Sequence, residues 1–556
     1  MTATLDEATL DDLRARAEAW LADDPEPDTR AELRSLLDRL PDPAAAADLA
    51  DRFSRQLTFG TAGLRGPLRA GPNGMNRAVV RAAAAGLIDW LARRDAPGPL
   101  VIGYDARRGS HEFAVETARV ATGAGRRALL LPRPLPTPVL AYAVRALDAV
   151  AGVMVTASHN PAGDNGYKVY LGTRLGGRLG AGAQIVPPAD TEIEAAIRGV
   201  RQLADVPLGD PGEVLSDDVV ASYLAQAAAV VDPGAEKELT VAYTPLHGVG
   251  APLFVDALTR AGFAAPTVVA EQAEPDPDFP TVPFPNPEEA GAMDRLLALA
   301  EASGADIAIA NDPDADRCAV AVPTPDGWRA LRGDEVGVLL ADHMMRQGMT
   351  GTYATTVVSS SLLRAMCAAR GLPYAETLTG FKWIVRAAED LVYGYEEALG
   401  YCVAPDLVRD KDGISAALLV CELAAGLKAE GRTLADRLDE IAAEFGVYHT
   451  EQLSLRVDDL SQIAAAMTRI RQQPPDRLLD EPVTEIEDRA PEADVLILRT
   501  DRTRVVVRPS GTEPKLKAYL EVTEPVGDGD LAAARERAAA TAQGLRAETA
   551  AALGIG

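Results

Sequence analysis

The chain is short of the residues that would define several functional classes. Its 556 residues include four cysteines, Cys318, Cys367, Cys402 and Cys421, and none sits in C-x-x-C spacing. That argues against a disulfide framework and against a zinc knuckle. No stretch approaches the roughly 18 consecutive apolar residues of a membrane span. Residues 1–7 lack the basic and apolar regions of a secretory leader. The expectation is a cytoplasmic protein with no membrane partner. Basic residues are scarce beside acidic ones, 55 against 82, for a net charge of -27. A nucleic-acid binder of this size rarely carries that balance, so no nucleic-acid partner is expected. The G-x-x-x-x-G-K-[ST] loop is absent, and Gly248-Val249-Gly250 is followed by Leu253 where a dinucleotide fingerprint has its third glycine. ATP and NAD are therefore not indicated.

What is present is a long alternation of short apolar runs and amphipathic stretches, which indicates α/β layers. Leu10 to Leu21 and Thr29 to Leu40 read as charged N-terminal helices. Strands are predicted at Leu100 to Tyr104, Ala128 to Leu131 and Val150 to Val155, with helices at Glu112 to Thr122 and Pro138 to Leu147. Val206 to Gly212 is a Pro/Gly-rich linker candidate. A second set follows, with strands Leu239 to Tyr243 and Ala305 to Ala310 and helices Ala251 to Ala261 and Glu288 to Ala302. A third opens near Arg332. From about Tyr448 the strands and helices group into an α+β pattern.

Four segments carry chemistry. Ser158, in Val155-Thr156-Ala157-Ser158-His159-Asn160-Pro161, stands where a buried-type strand meets a turn signal. It reads as a nucleophile or phosphoryl carrier, or as a turn serine bonding its own backbone. A G-x-S-x-G elbow is absent, and adjacency alone does not place the His159 ring on the serine oxygen. Asp312, Asp314 and Asp316 follow a strand at alternate positions. They form either a solvated acidic turn or a cation site. An EF-hand is excluded by Arg317 and Pro323 at its sixth and twelfth positions. Oxygen ligands favour Mg²⁺ over Zn²⁺, and Arg317 beside them suits an entering anion. Arg508-Pro509-Ser510-Gly511-Thr512, with Lys517 beyond, reads as an anion nest or as an ordinary hairpin turn. Glu396 and Glu397, between Tyr395 and Tyr401, suit sugar hydroxyls or a surface loop. Lys382 and Arg107 read as exposed cations on turns. Lys168, ten residues after Ser158, is a candidate general acid or base.

These motifs, in this order, resemble the α-D-phosphohexomutases, the phosphoglucomutase/phosphomannomutase superfamily, from about Leu57 to Glu521. The start Phe59-Gly60-Thr61-Ala62-Gly63-Leu64-Arg65, the segment Thr244-Pro245-Leu246-His247-Gly248 and Glu396-Glu397-Ala398 are most similar to the phosphoglucomutase 2-like branch. The resemblance implies a heart-shaped four-domain α/β architecture, three similar α/β domains and a C-terminal α+β domain. The boundaries are an N-terminal helical extension at 1–56, domain I with the phosphoserine loop at 57–208, domain II with the metal loop at 209–328, domain III with the sugar loop at 329–445 and domain IV with the phosphate loop at 446–556.

By motif match, Ser158 is the phosphoserine, and Asp312, Asp314 and Asp316 hold Mg²⁺ together with its phosphate. Arg65, His159, Lys168, Arg317 and Lys382 line the transfer site. Glu396 and Glu397 take the sugar, and Arg508, Ser510, Gly511, Thr512 and Lys517 take the phosphate that does not react. The implied activity interconverts hexose 1- and 6-phosphates through a hexose 1,6-bisphosphate, acting as a monomer or dimer on a small phosphosugar. The family often has Gly-Glu-x-Ser in the sugar loop. Here Ala398 stands in place of the serine. A phosphopentomutase or a hexose 1,6-bisphosphate synthase would use the same site.

Overall fold

The structure is a computed structural model, and it describes residues 7–40, 42–60, 63–457, 460–510, 515–527 and 529–554. The chain divides into two compact units, residues 1–330 with 400–425, and residues 331–399 with 426–556.

The first unit opens with three helices, Glu7–Asp23, Pro27–Asp38 and Pro43–Arg52. Leu13, Ala17, Leu33, Leu36, Leu49 and Phe53 form their own small core. The main sheet of this unit runs Leu64–Pro67, Asp164–Leu171, Ala151–Val155, Leu100–Tyr104, Ala128–Leu130, Glu213–Val214. The strands 100–104, 128–130 and 151–155 are parallel. Each is buried along its length, as continuous apolar runs between helical layers should be. The 164–171 strand then returns antiparallel, so Lys168 pairs in register with Met154 and Gly166 with Arg65. The linker predicted at Val206 to Gly212 does not end this sheet. It leads into Glu213–Val214, which pairs with Ala128–Leu130 as an edge strand.

A second sheet in the same unit runs Gly327–Ala330, Ala319–Thr324, Ile307–Ala310, Val241–Thr244, Thr267–Val268. The helix predicted from Glu288 begins only at Asp294. Gly291 lies at φ +83°, a left-handed conformation that interrupts the preceding turns. Residues 400–425 complete the unit and supply Asp410, Lys411 and Asp412.

In the second unit, Tyr374–Thr377, Thr352–Thr356 and Leu391–Glu396 pair in parallel. The C-terminal sheet is wholly antiparallel, Val447–Arg456, Lys515–Glu524, Thr503–Pro509, Leu496–Arg499, Glu485–Asp488. The helices Leu460–Gln472 and Leu531–Leu553 belong to the same hydrophobic cluster as its inward residues. This is the α+β pattern read from the sequence.

Candidate active site

Ser158 ends the turn after Ala151–Val155 at φ +52°, a conformation that costs a non-glycine residue energy unless its surroundings hold it. Thr156 Oγ1 accepts from the Ser158 amide at 2.9 Å. Gly166 faces the Thr156 carbonyl so closely that a side chain there would clash. The loop is thereby pressed onto the neighbouring strand.

The acidic loop is shaped as firmly. Asp312 Oδ1 accepts from the Arg317 amide at 3.0 Å, and the Asp312 carbonyl accepts from the Ala315 amide at 2.8 Å. Beneath it, Val249 N–H donates to the Pro313 carbonyl at 2.9 Å, and Gly248 packs against Pro313 with no room for a Cβ.

The two loops meet. Ser158 Oγ donates to Asp312 Oδ2 at 2.7 Å and lies 3.1 Å from His159 Nδ1. The fold therefore does put the imidazole on the serine oxygen, which sequence adjacency alone did not establish. Thr137 Oγ1 donates to Asp314 Oδ2 at 2.6 Å. Lys168 Nζ reaches the same oxygen at 2.8 Å and Asp316 Oδ2 at 3.3 Å, and Lys411 Nζ reaches Asp316 Oδ2 at 3.2 Å. Arg65 donates to Asn160 Oδ1 at 3.1 Å. Arg317 lies 3.4 Å from Glu288 and 4.0 Å from Asp312.

The three aspartates are buried, so the solvated-turn reading fails. Burial, reinforced by the charges of Asp314 and Asp316, drives the Asp312 carboxyl well above its ordinary range. Burial acts the same way on Asp314, but Lys168 outweighs it and holds that carboxyl below its ordinary range. Burial works against the Lys168 ammonium, and Asp314 and Asp316 more than restore it. His159 is kept neutral by burial and by the cations Arg317 and Arg65.

The donor set fits a hard divalent cation. Three carboxylate oxygens lie within 4.8 Å of one another. Asp314 Oδ1 and Asp316 Oδ1 are buried acceptors with no hydrogen-bond partner among the described residues. Oxygen-only ligands of this kind suit Mg²⁺, and unsatisfied buried carboxylate oxygens are costly unless a cation takes them.

Two expectations are corrected. Arg107 is buried and donates to backbone carbonyls of the Ser158 loop. Lys382 is also buried, in the short helix Phe381–Ile384. Isolated sequence context marks a cation on a turn. It does not reveal carbonyls arriving from elsewhere to receive it.

The second unit holds the remaining candidates. Glu396 closes Leu391–Glu396 and is buried. Glu397 Oε2 accepts from Thr356 Oγ1 at 3.3 Å and from Ser359 Oγ at 3.2 Å. Arg508 and Lys517 are direct cross-strand partners, and the Ser510 amide donates to the Lys515 carbonyl at 2.8 Å. Like charges placed opposite each other on a sheet are unfavourable, and a bound anion would relieve that cost. Gly511 and Thr512 lie outside the described residues.

Thr137 and Lys411 were missed by sequence reasoning. Lys411 had one available signal: it is a scarce lysine between two aspartates, Asp410-Lys411-Asp412, directly before a glycine.

Profiles of four successive families match the chain: phosphoglucomutase/phosphomannomutase alpha/beta/alpha domain I over residues 56–203, domain II over 221–327, domain III over 332–445, and the C-terminal domain over 455–546. A probable phosphomannomutase of Haemophilus influenzae is 47% identical over 457 residues, covering 81% of this chain and 93% of the relative. A probable phosphoribomutase of Schizosaccharomyces pombe is 32% identical over 560 residues, covering 91% and 93%. The crystal structure of a phosphoglucomutase/phosphomannomutase family protein from Burkholderia thailandensis shares the fold. Its TM-score is 0.67 at 19% identity, covering 88% of this chain and 97% of that one.

Fold and relatives together define an isomerase of the sugar-phosphate mutase class. The chain belongs to the phosphoglucomutase/phosphomannomutase family.

Proposed function

We propose that the chain interconverts hexose 1-phosphate and hexose 6-phosphate, with glucose or mannose as the sugar, by way of a phosphorylated Ser158. Phosphoserine gives its phosphoryl group to the free hydroxyl of the monophosphate. The resulting hexose 1,6-bisphosphate reverses, and its other phosphoryl group returns to the Ser158 oxygen, so the balance is one isomer for the other. The observation that carries this reading is the Ser158 hydroxyl at 2.7 Å from Asp312, beside two buried carboxylate oxygens that have no partner.

Asp312, Asp314 and Asp316 would hold Mg²⁺ together with the phosphorylated Ser158. When bound, the ion offsets charge on the transferring group, the main need of phosphoryl transfer. Arg317 and Arg65 add fixed cations on the same side. Lys168, held as an ammonium by two carboxylates, is suited to shuttling the proton: it gives one to the departing serine oxygen and recovers one from the attacking sugar hydroxyl. His159, kept neutral, orients the serine oxygen. Lys382, Glu396 and Glu397 are assigned to the sugar. Arg508, Ser510, Gly511, Thr512 and Lys517 are assigned to the phosphate that does not react. The division of labour follows the expected domains at 57–208, 209–328, 329–445 and 446–556. No helix among the described residues is long and apolar enough to cross a membrane, and the proposed setting is the cytoplasm, as a monomer or dimer.

Intact-mass measurement tests the carrier directly. Exposure to glucose 1,6-bisphosphate should add one phosphate, and hexose monophosphate should remove it. Ser158→Ala should take up none and lose interconversion. A wild-type protein that never bears the group rejects the proposal. Pentose phosphate is the second reading, favoured by Ala398 in the sugar loop and by the phosphoribomutase relative. Parallel assays on ribose 1-phosphate and glucose 1-phosphate decide between the two.

A further inference from the structure

We propose that Arg107 is a positioning residue that sets the reactive shape of the Ser158 loop, with Phe279 from the neighbouring sheet's long loop as its cap. This rests on reading Ser158 as the phosphoryl carrier.

The Arg107 side chain is 1% exposed. Its guanidinium donates to four carbonyls of a single loop: Ser158 at 2.6 Å, Asn160 at 2.5 Å, Pro161 at 2.8 Å and Asp164 at 3.2 Å. The carbonyl of the residue bearing the reactive hydroxyl is among them. Asp105 faces Arg107 Nε at 3.4 Å, and is itself fixed by Ser110 Oγ at 2.6 Å and by the Arg107 amide at 3.0 Å. Only a planar fork with several donors can serve four carbonyls at once, and a lysine ammonium cannot copy it.

The cap comes from the other sheet's domain. The Phe279 ring centroid lies 4.8 Å from the guanidinium carbon, a cation–π distance. Phe279 belongs to a small cluster with Leu246, Val282 and Ala292, against which Ala162 of the Ser158 loop packs. Next to it, Asp278 takes a bidentate pair from Arg108. Leu246 follows Val241–Thr244 and lies two positions before Gly248, which seats the acidic loop. One arginine thus joins the strained φ of Ser158 to the scaffold under Asp312. Ser158 and Asp312 follow strands of different sheets, and this link adds to those that Thr137 and Lys168 make to Asp314.

The test uses the full chain with Arg107→Lys, Arg107→Met and Phe279→Leu. Amide hydrogen exchange at residues 156–164 should quicken about tenfold or more in Arg107→Met, while amides of Leu100–Tyr104 and Ile307–Ala310 keep their rates. In Arg107→Lys, kcat on glucose 1-phosphate should fall about 100-fold with KM within about twofold, and Phe279→Leu should fall less, about tenfold. Unchanged exchange in the loop together with unchanged kcat in Arg107→Lys overturns the inference. A merely structural role would lower the melting temperature and leave kcat of the folded enzyme intact, which also overturns it. Should Arg107→Met fail to fold, the two milder variants carry the same readings. A wild-type chain inactive on every sugar phosphate sinks the proposed function instead, and the exchange measurement still decides the clamp.

Discussion

Ser158 Oγ and Asp312 Oδ2 lie 2.7 Å apart although 154 positions separate them in the chain. The serine lies in the turn after a strand of one sheet and the aspartate follows a strand of the next. A hydroxyl in this position already touches the aspartate cluster. Asp314 and Asp316 each keep one buried oxygen without a hydrogen-bond partner among the described residues.

Removing divalent metal should therefore stop turnover, and Mg²⁺ should restore it. Mg²⁺ should also raise the melting temperature of the chelated wild type, because a ligand bound only by the folded state stabilises it. Asp314→Asn should lose most of that rise along with activity. A chelated enzyme that turns over at full rate would remove the three aspartates from the mechanism.

Arg508 and Lys517 oppose each other across two strands. Arg508→Ala should raise KM for hexose phosphate about tenfold, with kcat within a few-fold, because a charge-assisted contact to a non-reacting group contributes to binding in both ground and transition states. Steady-state kinetics check this, and an unchanged KM refutes the phosphate assignment.

Asp342 is fully buried and receives three arginines, Arg346 at 2.9 Å, Arg370 at 2.9 Å and Arg437 at 2.8 Å. Asp342→Asn leaves those cations without their shared anion. Denaturant unfolding should show a loss of about 3 kcal/mol, while KM at 20–25 °C, about room temperature, stays as in the wild type. A loss below about 0.5 kcal/mol would mean that the cluster adds nothing to stability.

Asp334 accepts from the Ser360 amide at 2.7 Å and from Tyr395 Oη at 3.1 Å, yet burial pushes its carboxyl up to about 6 from 3.8. A carboxyl raised on folding favours the protonated native state. Its stabilising contribution is complete below the unfolded value and fades as pH rises through about 6. Relative to Asp334→Asn, the wild type should lose melting temperature between pH 4 and 7. Parallel melting curves with a constant gap would contradict this.

The strand runs and helix periods were legible because each is a local pattern with its own burial logic, as at Leu100–Tyr104 and Ala251–Arg260. Ser158 and the aspartates were legible because a turn signal or a charge cluster directly follows an apolar strand. Arg107 and Lys382 were misread as exposed; the carbonyls that receive Arg107 come from 51 to 57 positions further along the chain. Thr137 gave no signal and Lys411 only a weak one, because their partners, Asp314 and Asp316, lie 177 and 95 positions away along the chain. The late start of the helix at Asp294 turned on a single glycine dihedral, which no apolar periodicity encodes.

Residues 400–425 return to the first unit after the chain has entered the second. Tyr170 and Tyr223, both wholly buried, donate to Asp410 at 2.8 Å and Asp412 at 2.9 Å in that returning stretch. A truncated product stopping at 330 would leave both phenol groups without these acceptors. During synthesis, the unit that bears Ser158 must therefore wait for nearly a hundred further residues to leave the ribosome before its interior can close.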